Sequence, residues 1–241
     1  MEMKRKQKHI SSRCSNQGFT MIELLVAMVV SLLAMGAIYS TFLAQHRSYR
    51  VQEETAEMQQ NIRTAMFYMQ REIRMAGSDP FNVGGIGITA ANAGLITFTE
   101  DVRGADVGAP PVAEPPDGDV GDPNENITYS LDANNNLVRN AGAGNQIVAQ
   151  NINALDFVYL DDSSPPNVLN AGGGNVPAMN YGLIRSVEIT IVARTDDPLL
   201  FGDTNTNAYF NQQGTQILVP QNDKVSRRRL TALIHCRNIG L

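Results

Sequence analysis

The residue types that most often catalyse reactions or bind metals are few in this sequence and poorly spaced for either task. Among its 241 residues they are three histidines and two cysteines, His9, His46, His235, Cys14 and Cys236. Their spacing matches no zinc site, and the sequence has no Gly-x-Ser-x-Gly, P-loop or Cys-x-x-Cys motif. His235 could form a catalytic triad with Asp156 or a serine, but a histidine that faces solvent from a strand is the stronger interpretation. We therefore expect no catalytic residues and no enzyme.

Two Asn-rich turns begin like a calcium-binding loop. The segments 132–136 and 203–207 both read Asp-x-Asn-x-Asn. Both lack the glycine expected at the sixth position and the glutamate expected at the twelfth. Ordinary turn chemistry of Asn and Asp explains both segments without a metal. We expect no metal ion and no cofactor.

The most distinctive stretch is Gly18-Phe19-Thr20-Met21-Ile22-Glu23 and the apolar run behind it. The 21 residues from Leu24 to Ala44 carry no charge, and as a helix they would rise about 31 Å, the thickness of a bilayer core. A basic leader precedes them. Secretory signals place their small cleavage-site residues after the apolar core, whereas Gly18 stands before it. A carboxylate such as Glu23 costs about 3 kcal/mol at the bilayer centre and less near its edge, so we expect it to have a partner or to reach water.

The segment GFTMIELLVAM resembles the type III signal of type IV prepilins and pseudopilins. The resemblance implies that a prepilin peptidase of the inner membrane cuts after Gly18 and N-methylates Phe19. It also implies that Glu23 pairs with the terminal amine of an adjacent subunit during assembly. The alternatives are a plain signal anchor for the segment and a headgroup-level side chain for Glu23.

Residues 19–44 are predicted to form a transmembrane helix, which continues outside the membrane as an amphipathic helix over residues 45–76. There is no proline between Phe19 and Asp79, and Gly77 followed by Pro80 gives a stop signal. The predicted helix has about 57 residues and a length of roughly 85 Å. Apolar or small residues recur on one face at intervals of three or four, namely Val51, Thr55, Met58, Ile62, Ala65, Met69, Ile73 and Ala76. This stripe should pack on a globular domain.

Residues 77–241 are predicted to form a β-rich domain. An acidic, Pro-rich stretch near 100–126, which includes Asp117, Asp119, Asp122 and Glu125, is predicted to be a surface loop. Period-two alternation predicts half-buried antiparallel strands. The predicted strands cover 95–99, 127–131, 137–139, 147–149, 155–160, 186–193 and 229–237. The predicted fold class is α+β, with one long N-terminal helix packed on a C-terminal antiparallel sheet.

The later segments extend the resemblance over most of the chain. MQREIRMAG, ALDFVYLDD, IRSVEITIVART and RRRLTALIHCRNIG are similar to PilW-type minor pilins and, less closely, to J-type pseudopilins of type II secretion. The chain lacks the proline in the membrane helix and the C-terminal cysteine pair of many major pilins, which favours a minor subunit. After loss of residues 1–18, Cys236 would have no cysteine to pair with.

These resemblances imply a structural subunit for pilus assembly. Its partners would be the prepilin peptidase, other minor and major pilins, and inner-membrane lipid. The basic leader would stay in the cytoplasm and the β-rich domain would reach the periplasm, then the pilus at the cell surface. The formal charge is −5, and loss of the leader would leave −9, which argues against a nucleic-acid partner. The alternatives are a J-like pseudopilin and, in another class, a membrane-anchored periplasmic enzyme or binding protein.

Overall fold

The computed structural model describes residues 18–104, 106–107, 112–196, 198 and 204–240. The chain divides into two compact units, Met1–Arg50 and Val51–Leu241. Of the predicted leader, only Gly18 belongs to the described residues, so His9 and Cys14 lie outside them.

One helix, α1, covers Met21–Met75 and confirms the predicted long N-terminal helix. It ends one residue before the predicted Ala76. Gly77 follows with a φ of +81°, and a Cβ there would come 3.1 Å from the backbone oxygen of Asn238. The stop therefore needs glycine for both its left-handed backbone and this close approach.

In the first unit almost all apolar side chains of α1 are exposed. The helix includes a stretch of 18 residues that is long and apolar enough to cross a membrane, and none of that stretch is buried. Leu33 is 71% exposed and Phe42 is 58% exposed. By length and composition, this part of α1 is suited to a bilayer rather than to water.

In the second unit the same helix contributes one face to a shared core. Its buried residues are Met58, Ile62, Ala65, Met66, Met69 and Ile73. They pack with sheet residues that include Ile96, Phe98, Phe157 and Ile189. The predicted stripe is confirmed over its C-terminal part, and Met66 joins it from the neighbouring helical position. Val51 and Thr55 are only half-buried.

Two antiparallel sheets complete this core. The first has the order β1-β2-β5-β6-β7, with strands Ile88–Asn92, Leu95–Thr99, Asn126–Leu131, Leu137–Asn140 and Asn145–Ala149. The second has the order β12-β9-β8, with strands Arg227–His235, Ser186–Arg194 and Ile152–Leu160. Short ribbons pair β3 (Asp106–Val107) with β4 (Val112–Ala113) and β10 (Tyr209–Phe210) with β11 (Gln216–Leu218). The α+β class, with the helix packed on antiparallel sheets, is as predicted.

Strands β8 and β9 differ from the prediction because they are buried on both faces. In half-buried strands Asp156 and Glu188 would face solvent, yet they are 7% and 2% exposed. The segment around β10 and β11 covers them. Asn211 donates to Asp156 at 2.9 Å, and the backbone N–H of Gln212 donates to Glu188 at 3.1 Å. Strand β1 was also not predicted, since its sequence ITAAN is poor in β-branched and aromatic residues.

The acidic stretch near 100–126 is not a surface loop throughout. Glu125 is fully buried, as is Asp101, and Glu100 is 6% exposed. The carboxylate of Glu125 accepts hydrogen bonds from the backbone N–H groups of Val102, Arg103 and Asp122 at 3.0–3.2 Å. These amides satisfy the charge and hold the loop, which explains why a carboxylate is tolerated inside.

Candidate functional site

The predicted processing segment lies at the start of α1. Gly18, Phe19 and Thr20 precede the helix, and Phe19 is 89% exposed. The first helical hydrogen bond runs from the Leu24 N–H to the Thr20 carbonyl at 3.2 Å, so Thr20 is the N-cap residue. A Cβ built on Gly18 meets no atom within 4 Å. The predicted cleavage position is thus exposed and lies directly before a well-defined helix start.

Glu23 closes a capping box with Thr20. Its Oε2 accepts from the Thr20 N–H at 2.9 Å and from the Thr20 hydroxyl at 2.8 Å. The Glu23 N–H donates in return to the Thr20 hydroxyl at 3.3 Å. This reciprocal pattern satisfies backbone donors at the helix start. Glu23 therefore has a local partner, Thr20, in addition to the intersubunit partner that the resemblance implies.

The histidines do not form a site in the described part of the chain. His46 lies against Phe42 with the ring centroids 6.0 Å apart. His235 is exposed at the end of β12, and its Nδ1 lies 2.8 Å from the Ser186 hydroxyl. Asp156, the acid considered for a triad, is bonded to Asn211 and pairs in register with Thr190, four positions from Ser186. No described carboxylate is hydrogen-bonded to His235, so the Ser–His contact lacks the third member of a triad.

The Asp132 turn is satisfied by its own residues. The Asp132 carboxylate accepts from the backbone N–H groups of Asn134 and Asn136 at 2.8 Å and from the Asn136 side chain at 2.9 Å. These contacts lower the pKa of Asp132 from its usual value. In the second candidate turn, Asp203 lies outside the described residues. Cys236 is buried, and burial raises the pKa of its thiol to about 12, as expected for a small packed residue.

A charged cluster between helix and sheet was not predicted. Glu72 of α1 accepts from the Arg139 Nε at 2.9 Å and from the Tyr129 hydroxyl at 2.5 Å. Tyr129 and Arg139 are partners in the β5–β6 register. The side chains of Arg139 and Glu72 are only 12% and 19% exposed. The position of Glu72, three residues after Met69 and one before Ile73, was the signal that this glutamate borders the buried stripe.

Glu100 lies next to this cluster, in surroundings that disfavour its negatively charged form. Its Oε2 is buried and has no hydrogen-bond partner among the described residues. Burial, and then the charge of Glu72, raise the pKa of Glu100 to about 7. An open groove of about 720 Å³ borders Glu72, Glu100 and Arg139. Because its lining mixes both signs of charge, the groove indicates no class of ligand.

Comparison with known proteins bears mainly on the N-terminal segment. Residues 13–39 match the family model for the prokaryotic N-terminal methylation motif. A search of curated proteins found no match. Among solved structures, the chain is similar to the type IV-like pilin TTHA1219 from Thermus thermophilus, at 12% identity, with 80% of this chain and 99% of that chain covered and a TM-score of 0.45. That structural similarity is too low to carry an argument.

The matched segment contains every residue of the predicted processing site and the first part of α1. The glycine, the phenylalanine and the first-turn glutamate are all inside it. The chain therefore carries a prokaryotic N-terminal methylation motif, which spans the predicted processing site.

Proposed function

We propose that this chain is a minor type IV pilin, a structural subunit that is processed in the inner membrane and then built into a pilus or its initiating complex. The observation that carries the proposal is the methylation motif at residues 13–39, placed at the start of a 55-residue helix. The helix is apolar on all sides at first and later buries one face in the core. A plain membrane anchor would have no use for a cleavage motif ahead of its apolar segment.

In this proposal the peptidase supplies the chemistry and the chain supplies its substrate. The peptidase cuts the Gly18–Phe19 bond and methylates the new amine of Phe19. The apolar part of α1 keeps the subunit in the bilayer until assembly, and the β-rich unit stands in the periplasm.

Substitution of Gly18 tests the processing step. Gly18→Leu should leave a longer, unmethylated chain in the membrane, because the peptidase would have to accept a bulky side chain at the cut. A Cβ at position 18 meets no neighbour, so failure to cleave would not reflect a misfolded substrate. Gly36→Leu is the matched control, since a Cβ at Gly36 also meets nothing within 4 Å and leucine suits the apolar run. Mass spectrometry should find methylated Phe19 as the first residue of the wild-type and Gly36→Leu proteins; any other first residue contradicts the proposal.

Glu23 has two competing roles in this proposal. It caps the helix start through Thr20, and after cleavage its charge can attract the terminal amine of another subunit. The capping box needs an oxygen acceptor, which Gln also provides. The intersubunit contact needs the negative charge, which Gln lacks.

Two substitutions separate these roles. Glu23→Gln should be processed and inserted normally but incorporated about ten- to a hundredfold less, the equivalent of losing a charge-assisted contact of about 1.5–3 kcal/mol. Thr20→Ala removes the cap and keeps the charge, so it should incorporate nearly as well as wild type. The readout is the amount of each protein in sheared filament fractions of a piliated strain. If both variants lose incorporation equally, Glu23 acts only as a helix cap. If neither variant loses incorporation, Glu23 is a tolerated residue at the level of the lipid headgroups.

A further inference from the structure

Strand β12 lies at the edge of its sheet and is long and regular. It pairs with β9 over nine residues, from Arg227 opposite Arg194 to His235 opposite Ser186, without a shift of register. It contains no proline. Natural edge strands usually prevent further pairing by being short, by a proline or a bulge, by charges, or by a segment that covers them. β12 is long and has neither a proline nor a bulge, so only charges or a covering segment could close its edge.

The backbone groups of β12 that point away from β9 belong to its odd-numbered residues. The N–H of Cys236 donates to the carbonyl of Arg185 at 2.9 Å, and the N–H of Thr195 donates to the carbonyl of Ser226 at 3.0 Å. Both pairs continue the β12–β9 register, so the even-numbered residues of β12 are the ones that bond to β9. The residues whose N–H and C=O groups point to the free edge are therefore Arg227, Arg229, Thr231, Leu233 and His235.

These outward backbone groups have no hydrogen-bond partner in the part of the chain that the structure describes. The opposite edge of the same sheet, along β8, is closed. There the N–H of Phe157 donates to the carbonyl of Ala93, and the carbonyl of Tyr159 accepts from the N–H of Leu169, both at 2.8 Å. The side chain of Asn170 bonds to the remaining groups of these two strand residues at 2.8–3.1 Å. One edge of the sheet is thus covered by its own chain, and the other is open to a further strand.

The open edge is exposed and basic. Arg228 and Arg229 are exposed at one end of β12, and Leu233 is 47% exposed toward the other end. Residues 224–241 contain five basic residues and no acidic one, in a chain whose formal charge is −5. Like charges that lie opposite each other on paired strands are unfavourable, and opposite charges are favourable. The arginines therefore disfavour pairing with the same basic segment of a second copy and favour a strand that carries carboxylates.

We propose that the open edge of β12 binds an extended, acidic segment of a partner protein by addition of an antiparallel strand. The outward backbone groups of β12 supply the hydrogen bonds, and the side chains select the partner. An antiparallel strand continues the pattern of the sheet and brings the C-terminal part of the partner segment opposite Arg228 and Arg229. Two consecutive carboxylates there pair with the two guanidinium groups, and an apolar side chain covers Leu233. This surface belongs to the second unit and does not depend on the proposed function.

The test is the binding of fluorescent peptides to the full-length protein in detergent micelles, measured by anisotropy. The probe is a blocked peptide of the nine-residue length of β12, in which threonine and valine alternate and two glutamates stand near the C-terminus. One control peptide has lysines in place of the glutamates. The other carries N-methyl groups on its backbone amides, which removes the donors needed for strand pairing. The acidic peptide should bind at least about tenfold more tightly than either control.

Matched substitutions locate the surface. Thr231→Pro removes an outward N–H and leaves the bonds to β9, so the protein should fold while its affinity for the acidic peptide falls at least about tenfold. Thr231→Val keeps this N–H and should bind as the wild type does. Arg228→Glu should weaken binding about three- to tenfold. Arg63→Glu reverses an exposed charge on α1 and should leave the affinity unchanged.

Four outcomes overturn the proposal. The first two are equal affinity for the acidic and the lysine peptide, and no saturable binding of the acidic peptide up to about 1 mM. The third is wild-type affinity in a folded Thr231→Pro variant; if that variant unfolds, wild-type affinity for the N-methylated peptide decides in its place. The fourth is dimerisation of the protein alone that Arg228→Glu strengthens or leaves unchanged and Thr231→Val retains, which would make the occupant a second copy.

Discussion

The two ends of α1 belong to one continuous helix but bury their side chains in opposite ways. From Leu24 to Ala44 apolar residues surround the helix, and almost all of them are exposed. From Met58 to Ile73 the buried apolar residues lie on one face, which is in the core, while Phe67 and Tyr68 stay exposed. The difference teaches that a one-sided apolar stripe can be buried against a sheet of the same chain. A helix that is apolar on all sides can be buried only by lipid or by other subunits.

The two glutamates near the ends of the helix repeat this contrast. Glu23 has a partner three residues away in sequence, whereas Glu72 has partners on two strands, 57 and 67 residues away. A local partner satisfies a charge at an exposed helix start. Tertiary partners are needed where the charge is mostly removed from water.

Truncation of α1 at two different positions should give the largest effect, a difference in solubility and folding between the two shortened proteins. A version of the protein that starts at Gln45 should fold as a soluble α+β domain, because it keeps the whole buried stripe. A version that starts at Ser78 should aggregate, because the sheets would lose Met58, Ile62, Met69 and Ile73 and expose the face that these residues cover. Gel filtration and thermal unfolding measure the outcome. Equal solubility and cooperativity of the two versions would contradict the role of the stripe.

Substitution of Glu72 should have the next largest effect, a loss of stability. Glu72→Ala removes the ion pair of the largely buried Arg139, which keeps its bond to Asn124, and leaves the Tyr129 hydroxyl without its partner. We therefore expect a loss of about 2–4 kcal/mol in the free energy of unfolding. Denaturant unfolding of the Gln45 version measures it. Glu53→Ala, on the exposed face of the same helix, should change stability by less than about 0.5 kcal/mol. Similar values for the two variants would show that the cluster does not fasten helix to sheet.

Glu100 should give the smallest effect and a distinctive pH dependence. Its pKa in the folded protein is raised to about 7, above the ordinary value of 4.5. Between pH 4.5 and about 7 the unfolded chain releases this proton while the folded chain retains it, so this carboxyl group makes stability fall as pH rises. Above about pH 7 the loss is complete, and below pH 4.5 it is absent.

Removal of this carboxyl group tests whether it makes stability fall as pH rises. Glu100→Gln should be more stable than wild type at pH 8 by about 1–3 kcal/mol, the cost of a buried unsatisfied group, and nearly equal to it at pH 4.5. Glu57→Gln, which changes an exposed glutamate, should show no such difference. A larger gain at pH 4.5 than at pH 8 would mean that Glu100 is stabilised as the anion.

The elements that the sequence predicted well are those specified by their own neighbours along the chain. The extent of α1 follows from the absence of proline and from the glycine stop, and the strands near 95–99, 127–131, 155–160 and 186–193 follow from period-two alternation. The processing motif is equally local, since a peptidase reads consecutive residues. None of these required knowledge of the sheet order.

The polar interior could not be predicted, because it depends on which segments meet. Glu125 and Asp101 occur in a stretch whose composition is typical of an exposed loop, yet both are buried. Their carboxylates accept hydrogen bonds from backbone N–H groups of other residues. Strands β8 and β9 look half-buried in sequence, but a later segment covers their second face. The spacing of Glu72 along α1 could have placed it at the border of the buried stripe, but only the β5–β6 register shows that Tyr129 and Arg139 meet it together.

The sequence by itself therefore determined the long helix, its apolar first part, its buried stripe and the methylation motif, because each depends on spacing along one segment. Only the tertiary structure decided where the charged side chains lie, namely the Glu72 cluster and the buried carboxylates of Glu100, Asp101 and Glu125. The physical reason is that an apolar residue gains from burial against almost any apolar surface. A buried charge is stable only where specific partners from other segments reach it.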